Sequence, residues 1–295
     1  MTLAVPPATV SRVAYLGTPD IAVPPLRALH EAGYEIAVVV TGADKRRGRG
    51  TEVTPSPVKA AALELDLPVA HDLAAVVESD VDLGVVVAYG RIIPPSVLER
   101  VPLVNIHFSL LPRWRGAAPV ERALLAGDHA TGVCLMVVDE ELDTGAVYRR
   151  EAVAIEADDT LESLRRRLVD TGTLTLLDGL ASGLGQPEPQ HGTPTYAAKI
   201  DPAELEIDWN ADAGPIDRLI RLGGAWTTFR DRRLKVWSAR PMAAGPGVGR
   251  LDGLVVGAGN GGIELVEVQP EGKARMAADA WRNGAQPGAE ERLGR

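Results

Sequence analysis

Residues 83–88, LGVVVA, form an unbroken apolar run, and no other stretch narrows the possible folds as far. A strand with one wet face alternates polar and apolar side chains. A strand with no polar side chain has to be covered on both faces, as in a parallel sheet between layers of helix. Gly90 and Pro94-Pro95 end the run. The start of the chain agrees. Residues 12–16 read as a strand, Gly17-Thr18-Pro19-Asp20 as a turn, the following residues to about Glu31 as a helix, and 35–40 as a second strand. Such a β-α-β unit makes neighbouring strands parallel, with a right-handed crossover. The first turn lacks G-x-G-x-x-G, so no dinucleotide is inferred. Ser56 caps a further helix that has Pro57 at its first position.

At 295 residues there is room for two domains. Residues 159–162 (DTLE) resemble a capping box and open a helix to about Leu180, with Leu161, Leu164, Leu168, Leu174 and Leu177 as its core stripe. Residues 183–194, GLGQPEPQHGTP, read as a linker. Beyond Ile207 the texture changes. A helix near 215–222 precedes short β-like runs at 233–239, 254–256 and 263–268, separated by Gly and Pro, as in a small barrel. The expected organisation is an α/β, Rossmann-like parallel-sheet domain over residues 1–188, a linker over 189–206, and a small β-barrel domain over 207–295.

Residues 104–145 carry the candidate chemistry. Asn105 and His107 close a short apolar run, and strand alternation sends both side chains to one face. Asp143 follows the next strand-like run, so an amide, an imidazole and a carboxylate reach one end of neighbouring strands. An amide donates without titrating. An imidazole beside a carboxylate is favoured as a cation and donates to an oxygen gaining charge. The set suits an oxyanion formed when an amine attacks an acyl carbon, with the carboxylate orienting the ring and helping to remove the amine proton. The same residues equally fit a capped strand end with a structural histidine and a turn aspartate.

The net charge of −9 argues against indiscriminate nucleic-acid binding, but two basic islands stand out. Lys45, Arg46, Arg47 and Arg49 sit with Asp44 in a polar, Gly-rich stretch, 41–54, that reads as an exposed, mobile loop. Between 207 and 240 seven basic residues face four acidic ones, with Arg232, Arg233 and Lys235 clustered. An acidic protein with such islands can hold a polyanion in one pose. No apolar run approaches membrane length, and the first dozen residues do not read as a signal peptide. The single Cys134 lies in an apolar run, which suits a core position in a reducing cytoplasm. No Cys/His cluster has metal-ligand spacing, so no metal is expected.

The run N-I-H-F-S-L-L-P-R-W-R-G-A-A-P at 105–119, followed by L-D-T-G at 142–145, resembles the signature of the folate-dependent formyltransferases. Similarity extends over Gly17-Thr18-Pro19-Asp20, Gly48-Arg49-Gly50, 55–59, 86–90, Ile207-Asp208-Trp209, Lys235-Val236-Trp237 and 269–273. The resemblance implies that Asn105, His107 and Asp143 are catalytic. It implies that Ser109, Leu110, Leu111 and Pro112, with Val87, Ala88, Tyr89 and Gly90 alongside, receive the co-substrate, 10-formyltetrahydrofolate. It is strongest to members that formylate the amino acid on initiator tRNA. For those it implies an OB-like second domain, tRNA contacts from Lys45, Arg46, Arg47, Arg49, Arg232, Arg233 and Lys235, and a cytoplasmic monomer. Members acting on an amino-sugar nucleotide or on glycinamide ribonucleotide share the trio, so the basic islands discriminate. A binding module without catalysis would leave the trio unused. Phe108 departs from the family's small residue and is expected to narrow the site.

Overall fold

The computed structural model describes residues 2–46, 53–288 and 290–294, with the backbone alone for Lys45, Arg46 and Val53. The chain divides into two compact units. One comprises Met1–Pro119, Ala130–Ala154 and Arg165–Ala198; the other comprises Val120–His129, Ile155–Leu164 and Lys199–Arg295.

The first unit is built on a seven-stranded sheet of β1 (Arg12–Gly17), β2 (Glu35–Val40), β3 (Val69–Ala70), β4 (Leu83–Val87), β5 (Leu103–His107), β6 (Ala130–Val137) and β7 (Val147–Ala154). Their order is β7-β6-β5-β4-β1-β2-β3. The five strands from β5 to β3 are parallel, as the β-α-β pattern and the apolar run require. Every residue of β4 is buried. β6 and β7 extend the sheet antiparallel, a feature that the expectation of a parallel sheet did not contain. The chain runs outward from β1 through β2 to β3 and resumes at β4 on the other side of β1. The strand order therefore reverses between β1 and β4, whose ends Gly17 and Val87 are paired. Ligands bind α/β sheets in the crevice at such a point.

Helices α1 (Val23–Glu31), α2 (Pro57–Glu64), α3 (Pro119–Ala126) and α4 (Leu161–Ser182) follow the expected pattern. The Ser56 hydroxyl accepts from the Lys59 amide, so α2 has its cap. Two details of α4 differ from expectation. The reciprocal pair at its start is Thr160 and Ser163, one residue on from the Asp159 and Glu162 expected: each hydroxyl accepts from the other's backbone N–H. The buried stripe is Leu164, Leu168, Gly172, Leu176 and Leu180, whereas Leu174 is 62% exposed. A β-carbon on Gly172 would lie 2.8 Å from Ile106 Cγ2 and 3.5 Å from Phe108 Cε1. The glycine is what lets the strand carrying Asn105 and His107 approach the helix.

Two segments expected to be irregular are paired. Lys45–Arg46 and Val53–Thr54 form a short antiparallel ladder inside the stretch expected to be a loop. Arg47, Gly48, Arg49 and Gly50 lie outside the described residues. The stretch expected to be a linker is fastened to the first unit. Val147 and Glu188 exchange backbone hydrogen bonds, and Tyr196–Ala197 pairs in parallel with Arg115–Gly116.

The second unit carries α5 (Ala213–Arg221) and an antiparallel sheet of β8 (Trp226–Phe229), β9 (Arg232–Met242), β10 (Leu251–Asp252), β11 (Val255–Gly257), β12 (Gly262–Pro270) and β13 (Met276–Ala277), followed by α6 (Ala278–Ala285). The order is β8-β9-β12-β11-β10, with β13 beside β12. Inward residues such as Leu234, Val236, Ile263, Leu265 and Val268 form its core with Ile216, Ile220 and Trp281. The sheet's two edges are joined by residues 291–294. Leu293 N–H donates to Gly249 O (2.8 Å), Leu251 N–H donates to Glu291 O (3.3 Å), and Gly294 N–H donates to Thr228 O (2.9 Å).

Candidate active site

The site forms where β4 and β5 end. Asn105 is paired with Val86, and His107 with Cys134 of β6. Alternation along β5 turns Asn105 and His107 to one face and sends Ile106 and Phe108 toward Gly172 on α4. Phe108 is 6% exposed and packs on the helix side, so the expectation that it narrows the site is not met.

The Asn105 amide makes no hydrogen bond among the described residues and is only partly buried. It is a donor without a protein partner among the described residues. His107 is 6% exposed. Its Nε2 lies 2.9 Å from Trp114 O, so that nitrogen donates to the carbonyl. Its Nδ1 lies 3.6 Å from Asp143 Oδ2, beyond hydrogen-bond length. The same carboxylate oxygen accepts from Gly116 N–H at 2.7 Å. One backbone bond thus fixes the ring and another the carboxylate, while the imidazole Nδ1 and the Asn105 amide remain available to a reacting group.

Three residues without the freedom of glycine hold left-handed backbone around this point: Ala88 (φ 47°), Trp114 (φ 66°) and Asp143 (φ 53°). Such conformations are costly and persist where the surroundings over-determine them, commonly at ligand sites. The turn bearing Asp143 is closed by Thr144, whose hydroxyl donates to both oxygens of Asp139 at 2.8 and 2.9 Å. Burial pushes the Asp139 carboxyl above its usual range despite that bond. The loop after β5 is tied from outside. Trp114 N–H donates to Thr195 Oγ1 (2.9 Å), Arg115 N–H to Thr195 O (2.9 Å), and Ala117 and Ala118 N–H to Ala197 O (3.0 and 3.1 Å). Gly116 has φ 118°, and a β-carbon there would sit 2.9 Å from Ala197 O.

The residues expected to receive the co-substrate divide in two. Ser109 is fully buried and donates to Arg113 O at 2.6 Å; Leu111 packs with Cys134, Met136 and Val147; Val87 is fully buried; and Tyr89 lies in the core around β1 and β4, its hydroxyl pKa raised by burial. Their side chains build the wall. Leu110, Pro112 and Ala88 are only partly buried and Gly90 is exposed, which leaves them able to meet a ligand. Sequence reasoning missed Thr195 and Gln190, whose side chains hold the loop after β5 and the Asp143 turn.

On the second unit, β9 alternates: Leu234 and Val236 point inward, while Arg233, Lys235 and Trp237 share the other face. The Arg233 guanidinium stacks 3.9 Å from the Trp226 ring centroid, Arg275 lies 3.7 Å from that of Trp237, and Lys235 Nζ lies 5.5 Å from the same ring. Arg232 is 72% exposed and 3.8 Å from Glu271. The face is basic and aromatic together, a combination that suits phosphates and bases. Among the described residues no group of three or more His, Cys, Asp or Glu could hold a metal ion, and no helix is long and apolar enough to cross a membrane.

The profile of the formyl transferases matches residues 11–180, and that of the formyl transferase C-terminal domain matches residues 199–286. The chain belongs to the formyl transferase family. Within it, the methionyl-tRNA formyltransferase of Roseobacter denitrificans is 45% identical over 294 residues, covering 93% of this chain and 96% of that protein. The methionyl-tRNA formyltransferase of Ruegeria pomeroyi is 43% identical over 292 residues, covering 92% and 97%. A solved N-formyltransferase from Helicobacter canadensis, in complex with folinic acid and dTDP-3-aminofucose, has a TM-score of 0.68 at 15% identity, covering 89% of this chain and 100% of that one. At that identity the likeness is one of fold.

Proposed function

We propose that the protein transfers the formyl group of 10-formyltetrahydrofolate to the α-amino group of methionyl initiator tRNA, acting as a cytoplasmic monomer. The observation that carries this reading is the near full-length identity, 45%, to a methionyl-tRNA formyltransferase, which spans both units. The geometry supports the chemistry. The substrate amine is the nucleophile, so no serine or cysteine is required. As it attacks the formyl carbon, the carbonyl oxygen gains charge and is met by the Asn105 amide and by His107, which as an imidazolium keeps Nε2–H on Trp114 O and donates from Nδ1. Asp143, held by Gly116, faces the imidazole that the Trp114 carbonyl orients and helps to remove the amine proton. The nitrogen–carbon bond then forms, the bond from the formyl carbon to N10 of the folate breaks, and N10 takes up a proton. The folate lies against Leu110, Pro112, Ala88 and Gly90, with backbone groups of 109–112 reading its pterin. Lys45, Arg46, Arg47 and Arg49, together with Arg232, Arg233 and Lys235, hold tRNA phosphates while the acceptor end reaches the site. The catalytic part ends near residue 188, and residues from 207 onward serve the tRNA.

The test offers labelled 10-formyltetrahydrofolate to charged initiator tRNA, an amino-sugar nucleotide and glycinamide ribonucleotide in parallel. Label on the methionyl-tRNA alone is expected. Label on either small amine instead would overturn the reading.

A further inference from the structure

Gln190 lies in the stretch that reads as a linker, yet its side chain uses its full hydrogen-bonding capacity at the site. Nε2 donates to Asp143 O (2.9 Å) and to Gly145 O (2.8 Å). Oε1 accepts from Arg115 Nε (3.1 Å) and Nη2 (2.7 Å). A carboxamide has two N–H donors and one oxygen with two lone pairs, so it is saturated. Its orientation follows from its partners, because two carbonyls demand the NH2 group and a guanidinium demands the oxygen.

All four bonds fall on the two segments that set the catalytic geometry. One is the turn in which Asp143 holds φ 53°. The other bears Gly116, whose N–H binds the Asp143 carboxylate, and Arg115 immediately before it. The strap itself has other anchors: the Val147–Glu188 bridge and the backbone bonds of Thr195 and Ala197. Removing the Gln190 amide therefore leaves the strap seated and frees the Asp143 turn from the 115–116 segment. We infer that Gln190 is a positioning residue for formyl transfer, which fixes the Asp143 turn against Arg115–Gly116 so that the carboxylate faces His107. The inference rests on the reading of Asp143 as a catalytic group.

A double-mutant cycle on the full-length enzyme tests it. Gln190→Met, close in shape but without the amide, is expected to lower kcat by roughly ten- to hundredfold, in the range produced by small misplacements of a catalytic group. The KM for 10-formyltetrahydrofolate is expected to stay at the parental value. In an Asp143→Asn background the same substitution is expected to change kcat little, since a residue that acts through Asp143 has nothing left to position. Gln190→Glu keeps the acceptor for Arg115 but turns an oxygen toward the Asp143 and Gly145 carbonyls. It is expected to behave like Gln190→Met, and it serves for the cycle if that variant does not fold. An equal loss in both backgrounds, or no loss from either substitution, overturns the inference. So does failure of both variants to fold, which would make Gln190 a stability residue. Parental turnover by Asp143→Asn alone would instead remove the catalytic reading of Asp143.

Discussion

Asn105 is the least encumbered polar group at the site, and that makes it the cleanest probe of the chemistry. It loses no hydrogen bond when replaced, so Asn105→Ala is expected to keep its stability within about 0.5 kcal/mol. If it donates to the developing oxyanion, kcat should fall by ~10²–10³, the usual cost of one such donor. Urea unfolding and single-turnover formylation of charged tRNA check both halves, and near-parental turnover would remove Asn105 from the mechanism. Asp143→Asn is expected to lose turnover to a similar extent while still binding folate. The joint role of Asn105, His107 and Asp143 was implied only by the family resemblance, while their meeting was legible from strand alternation and a turn before Gly145. Gln190 and Thr195 were not. Their partners are backbone atoms and a guanidinium 45–81 positions away, and nothing local marks a glutamine in a Pro-rich stretch as fully bonded. The wall residues Val87, Tyr89 and Leu111 were harder for another reason. A motif shows which residues gather at a site, but not whether each offers a side chain or only its backbone.

Among the elements, α4 shows what periodicity can and cannot give. Its existence and length follow from apolar spacing and a cap, but leucines alone misplace the stripe, because Gly172 occupies the position where strand and helix come nearest. Gly172→Leu would drive a side chain into Ile106 and Phe108, and overpacking of this kind typically costs about 1–3 kcal/mol. Chemical denaturation should show that loss together with reduced turnover, since β5 carries Asn105 and His107 on its other face; unchanged stability would mean that the helix yields freely. A second element-scale prediction concerns α3. Arg122 pairs bidentately with the Glu204 carboxylate, which also accepts from Asp201 N–H, and chiefly the guanidinium pulls that carboxyl down to about 2 from 4.5. A carboxyl lowered on folding stabilises above its unfolded pKa, and that contribution drains away as pH falls from 4.5 toward 2. The pair is partly exposed, so the effect is modest, about 0.2–1 kcal/mol. Glu204→Gln should be less stable than the parent at pH 6 and approach it near pH 2; a gap independent of pH would show that the charge is not what matters.

For the molecule as a whole, an acidic protein has to present its positive charge in chosen places to hold a nucleic acid. With a net charge of −9, the stacked cations of β9 are the clearest such place among the described residues. Arg232→Gln, Arg233→Gln and Lys235→Gln together should raise the KM for tRNA and flatten its salt dependence by up to ~0.9 per lost phosphate contact, if the acceptor stem behaves like duplex DNA, while the folate KM stays put. Formylation kinetics across a salt series would show this, and an unchanged slope would mean that the tRNA is held elsewhere. The two-part organisation was legible because a covered parallel sheet and short strands between glycines leave different textures. The antiparallel extension β6–β7 was not, because strand direction depends on the route of the connection rather than on the strand's own residues. The joining of the second sheet's edges by residues 291–294 also bears on how the molecule is made. A ribosome releases the chain in order, so β8 and β10 emerge well before the segment that joins them. Until then each presents open backbone donors and acceptors to any passing strand, the usual route to edge-to-edge association. Nascent chains arrested ahead of residue 291 should therefore be the form of this protein most dependent on a chaperone.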